Sequence, residues 1–218
     1  ANQPMISSSG RYIIVFNGEI YNHKELRLKY SDEIGVVWKT ESDTETLIEI
    51  IQEKGFKNAL NVIEGMFAFA IWDKKLKKIT LARDRMGEKP LYYGWQGEGI
   101  GSVFLFGSEL NALKGHPFFN TKINKKAIQS LMTYSCIHAP ESIYKNIFKL
   151  EAGHFLELSI ENLTNRILPK SAPYWSLSEI TNQGALNYFE SSFEDTSTEL
   201  EKLITDVVKK QMIGDVPV

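Results

Sequence analysis

Apolar residues alternate with polar or small residues through several short segments in the first two thirds of the chain. The segments that this pattern predicts as strands are residues 11–17, 35–40, 66–72, 78–83, 91–96, 102–107 and 155–159. A polar turn at 73–75 and a glycine-rich turn at 97–101 predict two hairpins. Many strands joined by short turns, with few helices between them, predict an α+β fold in which helices cover antiparallel sheets.

The segment 66–72 has the most regular pattern of these strands. Large side chains at Phe67, Phe69 and Ile71 alternate with Ala68 and Ala70. This pattern predicts a strand that is buried on both faces. The alanine face should allow a second layer of structure to approach closely.

Two helices are predicted in the first quarter of the chain. Residues 22–30 predict a short helix with Asn22 as its N-cap. Ser42 and Glu45 have the spacing of a capping box, in which Ser42 accepts from the helix and Glu45 reaches back to the cap. Apolar residues then recur on one helical face at Leu47, Ile48 and Ile51, and Gly55 is predicted to end this second helix.

The last quarter has a different character. Residues 161–194 mix Asn, Ser and Pro with isolated aromatic residues and no sustained period, which predicts a connector. Residues 197–213 predict an amphipathic helix ending at Gly214, with one apolar face of Leu200, Leu203, Ile204, Val207 and Val208. Residues 215–218 then begin a further apolar segment. We therefore expect one domain over 1–160, a connector over 161–194, and the first helix and strand start of a second domain over 195–218.

Composition narrows the classes of function. The 218 residues carry a formal net charge of −2, and no long basic run is present, so no nucleic-acid partner is expected. The apolar runs are too short to span a bilayer, and no secretory signal is visible, which predicts a cytoplasmic protein with no membrane partner. The single cysteine, Cys136, excludes an intramolecular disulfide. It lies among apolar residues, so we expect a buried, inert thiol.

The stretch from Asn17 to His23 reads Asn-Gly-Glu-Ile-Tyr-Asn-His and follows the first predicted strand. Asn-Gly is a strong hairpin signal, so one interpretation is a simple turn. In the other interpretation, the Asn17 side-chain N–H and the Gly18 backbone N–H form an oxyanion hole. Glu19 would then add an acceptor suited to an ammonium group. The residues alone leave both interpretations open.

The same stretch, followed by residues 42–45, resembles the class II glutamine amidotransferase domain of the asparagine synthetase B family. Residues 64–70, 82–93 and 106–113 resemble further segments of that family in the same order, and 214–218 resemble the lead into its ATP-pyrophosphatase loop. The resemblance covers nearly the whole chain. It implies a four-layer αββα sandwich of the N-terminal-nucleophile hydrolase type, followed by the start of an α/β ATP-pyrophosphatase domain.

The resemblance also implies roles for individual residues. The Asn17 side chain and the Gly18 backbone amide would form the oxyanion hole, and Glu19 and Asp43 would hold the α-amino group of glutamine. An acidic residue in a first helical turn is also expected from the helix dipole alone. No metal ligand is implied in this domain. Arg83 and Asp84 are expected to bond backbone groups at a strand end rather than to take part in catalysis.

The family's nucleophile is an N-terminal cysteine, and an arginine upstream of this segment holds the glutamine α-carboxylate. Residue 1 is alanine, so we expect a chain that is truncated at both ends, lacks both groups and is inactive by itself. The implied reaction of the whole protein hydrolyses glutamine to supply ammonia for amidation of aspartate to asparagine. Aspartate and ATP would be the other substrates, with ATP and Mg²⁺ bound outside these residues, and a homodimer is the assembly that the resemblance suggests.

Three alternatives to this function stay open at the level of sequence. A related amidotransferase of surface-polysaccharide or secondary biosynthesis would move ammonia to another acceptor. A non-catalytic binding domain would keep the same fold without the reaction. An unrelated α+β domain would carry the Asn-Gly pair only as a turn.

Overall fold

The computed structural model describes residues 2–34 and 36–212. Its strands are β1 (Met5–Ile6), β2 (Tyr12–Ile20), β3 (Gly65–Asp73), β4 (Lys78–Arg83), β5 (Tyr92–Gln96), β6 (Val103–Gly107), β7 (Phe148–Lys149), β8 (His154–Ser159) and β9 (Ala172–Pro173). Its α-helices are α1 (His23–Ile34), α2 (Asp43–Lys54), α3 (Phe56–Val62), α4 (Leu110–Lys114), α5 (Lys125–Tyr134), α6 (Ile160–Asn165), α7 (Leu177–Leu186) and α8 (Phe193–Gln211).

The strands form two antiparallel sheets. The larger sheet has six strands in the order β1-β2-β3-β4-β8-β9, and the smaller sheet has three in the order β6-β5-β7. The predicted hairpins are present as β3–β4 in the larger sheet and β5–β6 in the smaller sheet. The predicted α+β fold with antiparallel sheets is therefore confirmed.

The alternation predicted along β3 separates two apolar cores. Phe67, Phe69 and Ile71 lie in the core between the larger sheet and the helices. Leu47, Ile48 and Ile51 of α2 are almost fully buried in that same core, as predicted. Ala68 and Ala70 lie in a second core, where they pack with residues that include Leu91, Tyr93 and Leu156. The small alanine side chains leave room there for residues of the smaller sheet.

Strand β2 is longer than predicted. The sequence suggested that a strand ends near Asn17, but β2 continues to Ile20, which lies opposite Gly65 of β3. A Cβ atom on Gly18 would lie 2.1 Å from the carbonyl oxygen of Met66. Gly18 therefore allows the close approach of two paired strands, and the interpretation of Asn-Gly as a simple turn is wrong.

The start of α2 differs in detail from the predicted capping box. Ser42 caps the helix, and its side chain accepts from the amide of Thr44. The Glu45 carboxylate instead accepts from the amides of Lys39 and Thr40, both at 2.8 Å. The strand predicted over 35–40 is wrong for residues 36–40, which are not in a strand, and this carboxylate holds the amides of the last two of them; Gly35 lies outside the described residues. Gly55 ends the helix as predicted.

Asn22 directly precedes the first helix as predicted, and its carbonyl accepts from the amide of Leu26, but its side chain does not cap that helix. Its side chain donates to the carbonyl of Val62 at 2.9 Å and accepts from the amide of Glu64 at 3.0 Å. The buried Asn22 side chain thus links the end of β2 to the turn before β3. A contact across about 40 residues of sequence took the place of the local cap.

The predicted connector contains secondary structure. Most of α6, β9 and α7 lie within 161–194, and β9 pairs with β8 to extend the larger sheet. Helix α8 begins at Phe193 rather than at residue 197, and its predicted apolar face is exposed in this structure. The predicted end of this helix at Gly214 and the segment 215–218 lie outside the described residues. The predicted division into domains stays a prediction.

The region around Cys136 also differs from expectation. Cys136 follows α5, one of the helices that the sequence pattern did not predict. It is exposed, and its Sγ lies 3.4 Å from Nε2 of His138, so the expected burial of the thiol is wrong. Over residues 2–34 and 36–212, the structure contains no helix that is both long and apolar enough to cross a membrane.

Candidate functional site

Among the described residues, no strand pairs with the second half of β2 on the side away from β3, so this stretch is an open edge of the larger sheet. Strand β1 pairs with β2 only at Ile13 and Ile14. Further along, the Gln3 side chain bonds both the amide and the carbonyl of Phe16, each at 2.7 Å. The amide of Ile20 donates to Oδ2 of Asp43 at 2.9 Å. These backbone groups therefore point away from β3.

The amide of Gly18 faces the same open edge. Alternate residues of an antiparallel strand direct their backbone groups to the same side, so Gly18 follows Phe16 and Ile20. The residue opposite, Phe67, uses both its N–H and its C=O on the other side, in bonds to Asp84 of 3.2 and 2.8 Å. The Gly18 N–H therefore lies between the Gln3 amide and the Asp43 carboxylate.

The Asn17 side chain lies beside a cavity between the two sheets. Its Nδ2 donates to Oγ of Ser108, which directly follows β6, at 3.0 Å. The cavity has a volume of about 260 Å³, and Asn17, Gln3 and Ser108 supply polar atoms to its lining. Apolar lining comes from Val15, Ala68, Ala70, Leu91 and Phe106. A donor at the mouth of a small, mostly apolar cavity suits a ligand with one polar end.

Asp43 is the first residue of α2 and joins that helix to β2. Its Oδ1 accepts from the Thr44 amide at 2.6 Å, while Oδ2 accepts from Ile20. The positive end of the helix dipole attracts negative charge to this position. A carboxylate has about four acceptor sites, so Asp43 can also accept from a ligand ammonium group.

Glu19 lies on the sheet face rather than at the open edge. Side chains alternate along a strand, so the half-buried Glu19 shares a face with Asn17. Burial raises the pKa of Tyr21, and the negative charges of Glu88, Glu19 and Asp84 raise it further. The structure thus brings Gly18 and Asp43 to one edge of β2, with Asn17 and Glu19 on the adjoining sheet face.

His23 is a nearby residue whose position sequence reasoning did not use. Its Nδ1 atom is buried and has no hydrogen-bond partner among the described residues. Burial lowers the pKa of the ring, and the charge of Asp43 acts in the opposite direction. The lowered pKa keeps His23 neutral at pH 7, so its ring adds no positive charge beside Asp43. Its place in the Asn17–His23 motif was the only signal available beforehand.

The lowered pKa of His23 predicts a loss of stability in acid. As the pH falls below the ordinary value of 6.5, the unfolded chain binds a proton at this position before the folded chain does. The free energy of unfolding should therefore decrease between pH 7.5 and 5.5, and His23→Gln should reduce this decrease. Urea unfolding at several pH values measures both. His138→Gln, near Cys136, is the matched control, and an unchanged pH slope in His23→Gln would contradict the prediction.

Arg83, the last residue of β4, and Asp84, which follows it, hold the backbone next to this site. Arg83 donates to three carbonyl groups, those of Gly87, Lys89 and Leu150. The Asp84 carboxylate accepts from four backbone amides, those of Phe67, Met86, Glu88 and Lys89. The prediction that both residues bond backbone groups is confirmed. Because Asp84 holds Phe67, it also fixes the strand opposite Gly18.

The open edge of β2 and the cavity beside Asn17 together form the candidate site. Residues 1–175 match the family model described as "Glutamine amidotransferase domain". The chain belongs to this family.

Curated relatives carry more specific names. The chain is 36% identical over 223 residues to "Asparagine synthetase [glutamine-hydrolyzing] 2" of Bacillus subtilis, with 99% of this chain and 28% of the relative covered. It is also 36% identical to "Putative asparagine synthetase [glutamine-hydrolyzing] 2" of Methanocaldococcus jannaschii, with 94% of this chain and 36% of the relative covered. The chain thus spans about a third of the length of these relatives.

Solved structures agree on the fold. The glutamine phosphoribosylpyrophosphate amidotransferase of B. subtilis, complexed with ADP and GMP, matches with a TM-score of 0.51 and 21% identity, over 79% of this chain and 32% of that one. A structure described as the allosteric regulatory enzyme of purine biosynthesis matches with a TM-score of 0.53 and 22% identity, over 79% of this chain and 31% of that one. The predicted sandwich of the N-terminal-nucleophile hydrolase type is confirmed.

Proposed function

We propose that the candidate site binds glutamine and stabilises the transition state of its hydrolysis. The chain would be part of a longer glutamine-hydrolysing asparagine synthetase. The observation that best supports this proposal is that the Gly18 N–H and the Asp43 carboxylate lie on one edge of β2, beside the Asn17 side chain. The donor pair suits the side-chain amide of one amino acid, and the carboxylate acceptor suits its α-ammonium group. The names of the relatives support glutamine as that amino acid.

In this proposal the substrate amide lies against Asn17 and Gly18. When a nucleophile attacks the amide carbon, negative charge develops on the carbonyl oxygen. The Asn17 Nδ2–H and the Gly18 N–H then act as an oxyanion hole, and preorganised donors of this kind stabilise the transition state more than the ground state. The resemblance to the family supports an N-terminal cysteine as nucleophile. Cys136 does not line the cavity beside Asn17.

The other end of the substrate would lie against acidic groups. Asp43 accepts from the α-ammonium group at the edge of β2, and Glu19 supplies a second negative charge from the sheet face. The neutral state of His23 keeps a competing positive charge away from the ammonium position. Charge complementarity therefore favours an amino acid over a simple amide.

The rest of the reaction belongs to the whole protein. We propose that released ammonia is used to convert aspartate to asparagine, with ATP and Mg²⁺ bound outside these residues. Among the described residues, no cluster of three His, Cys, Asp or Glu side chains is arranged to hold a metal ion. Ammonia transfer from glutamine to aspartate, assayed with ATP in the full-length protein, tests the acceptor. Transfer only to another acceptor would favour the related amidotransferases.

The oxyanion hole is tested by Asn17→Ala in the full-length protein. We expect glutamine hydrolysis to lose about 10²–10³-fold in kcat, with a smaller change in KM, because the lost donor acts mainly in the transition state. Steady-state glutaminase kinetics measure this loss. Asn58→Ala is the control, since that exposed side chain bonds only the carbonyl of Lys54. An unchanged kcat in Asn17→Ala would refute the assignment of the site.

A further inference from the structure

Ser108 connects the smaller sheet to the proposed oxyanion hole. It directly follows β6, and its hydroxyl oxygen accepts from Nδ2 of Asn17 across 91 residues of sequence. The contact joins the end of β6 in the smaller sheet to β2 in the larger sheet, beside the cavity between them. Neither the family resemblance nor the proposed function gives Ser108 a role.

Ser108 is the hydrogen-bond partner that the structure gives to the Asn17 side chain, and within the described residues that side chain makes no second bond. Asn17 is exposed, and the final torsion of an asparagine side chain is only weakly restricted by its own geometry. A fixed bond from one Nδ2 hydrogen therefore sets the plane of the amide. It also sets the direction of the second hydrogen, which stays available for a ligand.

The surroundings hold Ser108 in place. Gly107 precedes it in β6, and a Cβ atom there would lie 3.2 Å from the buried side chain of Leu113. Leu113 belongs to α4, which begins two residues after Ser108 and contacts β6. The hydroxyl is thus carried by packed elements rather than by a long loop. A fixed acceptor on a packed element suits the orientation of a donor group.

We propose that Ser108 is a positioning residue that orients the Asn17 amide for glutamine hydrolysis. This inference rests on the proposed function. A donor aimed beforehand at the developing oxyanion needs no reorganisation during the reaction, whereas a freely rotating amide must first be ordered. The effect of Ser108 should therefore appear in kcat and not in glutamine binding.

The test compares variants of the full-length protein. Ser108→Ala should lower kcat for glutamine hydrolysis about tenfold, the size expected for loss of one neutral hydrogen bond, with KM changed less than about twofold. Ser108→Thr, which keeps the hydroxyl, should retain most of the activity. Ser102→Ala, at the other end of β6, is the matched control and should behave as wild type. Wild-type kcat in Ser108→Ala would overturn the proposal.

A double-mutant cycle separates positioning from a general structural effect. In an Asn17→Ala background, Ser108→Ala should cause no further loss, because the group it orients is already absent. A second loss of equal size would overturn the proposal. If Asn17→Ala itself has no effect, the proposed function fails. If Asn17→Ala is impaired while Ser108→Ala is not, only the present inference fails.

Discussion

Gly18→Ala should lower the free energy of unfolding by at least about 4 kcal/mol, or prevent folding altogether. The added Cβ would lie 2.1 Å from the Met66 carbonyl oxygen and 2.6 Å from the Phe67 Cα. Both are backbone atoms of the central strand β3, so no side-chain rotation relieves the collision. Relief requires β2 and β3 to separate, which breaks the pairing that defines the site. Urea unfolding followed by circular dichroism measures the change.

Two further glycines separate collision from backbone strain. Gly10 has a φ of +74° and no atom within 4 Å of a built Cβ, so Gly10→Ala tests the conformational cost alone, about 1–2 kcal/mol. Gly184, in α7, has neither restriction, and Gly184→Ala should be neutral or stabilising by up to about 1 kcal/mol. If Gly18→Ala costs no more than Gly10→Ala, the close approach of β2 and β3 is wrong.

Asp84→Ala should be comparably damaging, with a loss of about 3–5 kcal/mol in unfolding free energy. The Asp84 side chain is fully buried and accepts from four backbone amides, those of Phe67, Met86, Glu88 and Lys89. Alanine leaves these donors without their acceptor, and a buried unpaired donor bears its full desolvation cost. Since one donor is Phe67, the strand opposite Gly18 should also loosen.

Chemical denaturation again provides the measurement. Asp84→Asn keeps the shape and one carbonyl oxygen, so it should cost less than Asp84→Ala. Asp206→Ala, at an exposed position of α8, is the matched control and should change stability by less than about 0.5 kcal/mol. Equal stability of Asp84→Ala and Asp206→Ala would show that the four amides find other partners.

The parts of the fold that follow from local pattern were predictable from the sequence. The alternation of phenylalanine and alanine along β3 gave both of its buried faces, and the apolar spacing of α2 gave its packed face. Where a distant partner competes with a local preference, the prediction failed. Asn-Gly is a turn signal, but pairing with β3 extends β2 through Gly18. Asn22 and Glu45 likewise exchanged a local cap for contacts with other segments.

The candidate site could also be predicted in part from the sequence. Asn17, Gly18, Glu19 and Asp43 could be named because they lie in recognisable motifs, and the structure brings Gly18 and Asp43 to one edge of β2, beside the face that carries Asn17 and Glu19. Ser108 also lies in a segment that resembles the family, yet nothing in its neighbours indicates that its hydroxyl meets Asn17. That contact depends on how two sheets stack, which is a property of the whole core rather than of any short stretch.

The way the open edge of β2 is occupied has a consequence for behaviour in solution. An edge with a row of unused amides and carbonyls can template the addition of a strand from another molecule, the first step of many aggregates. Here the Gln3 side chain takes both backbone hydrogen bonds of Phe16, as a neighbouring strand would, and Asp43 takes the amide of Ile20. The gap between them is about one residue long. It denies an incoming polypeptide the consecutive pairings that it would need.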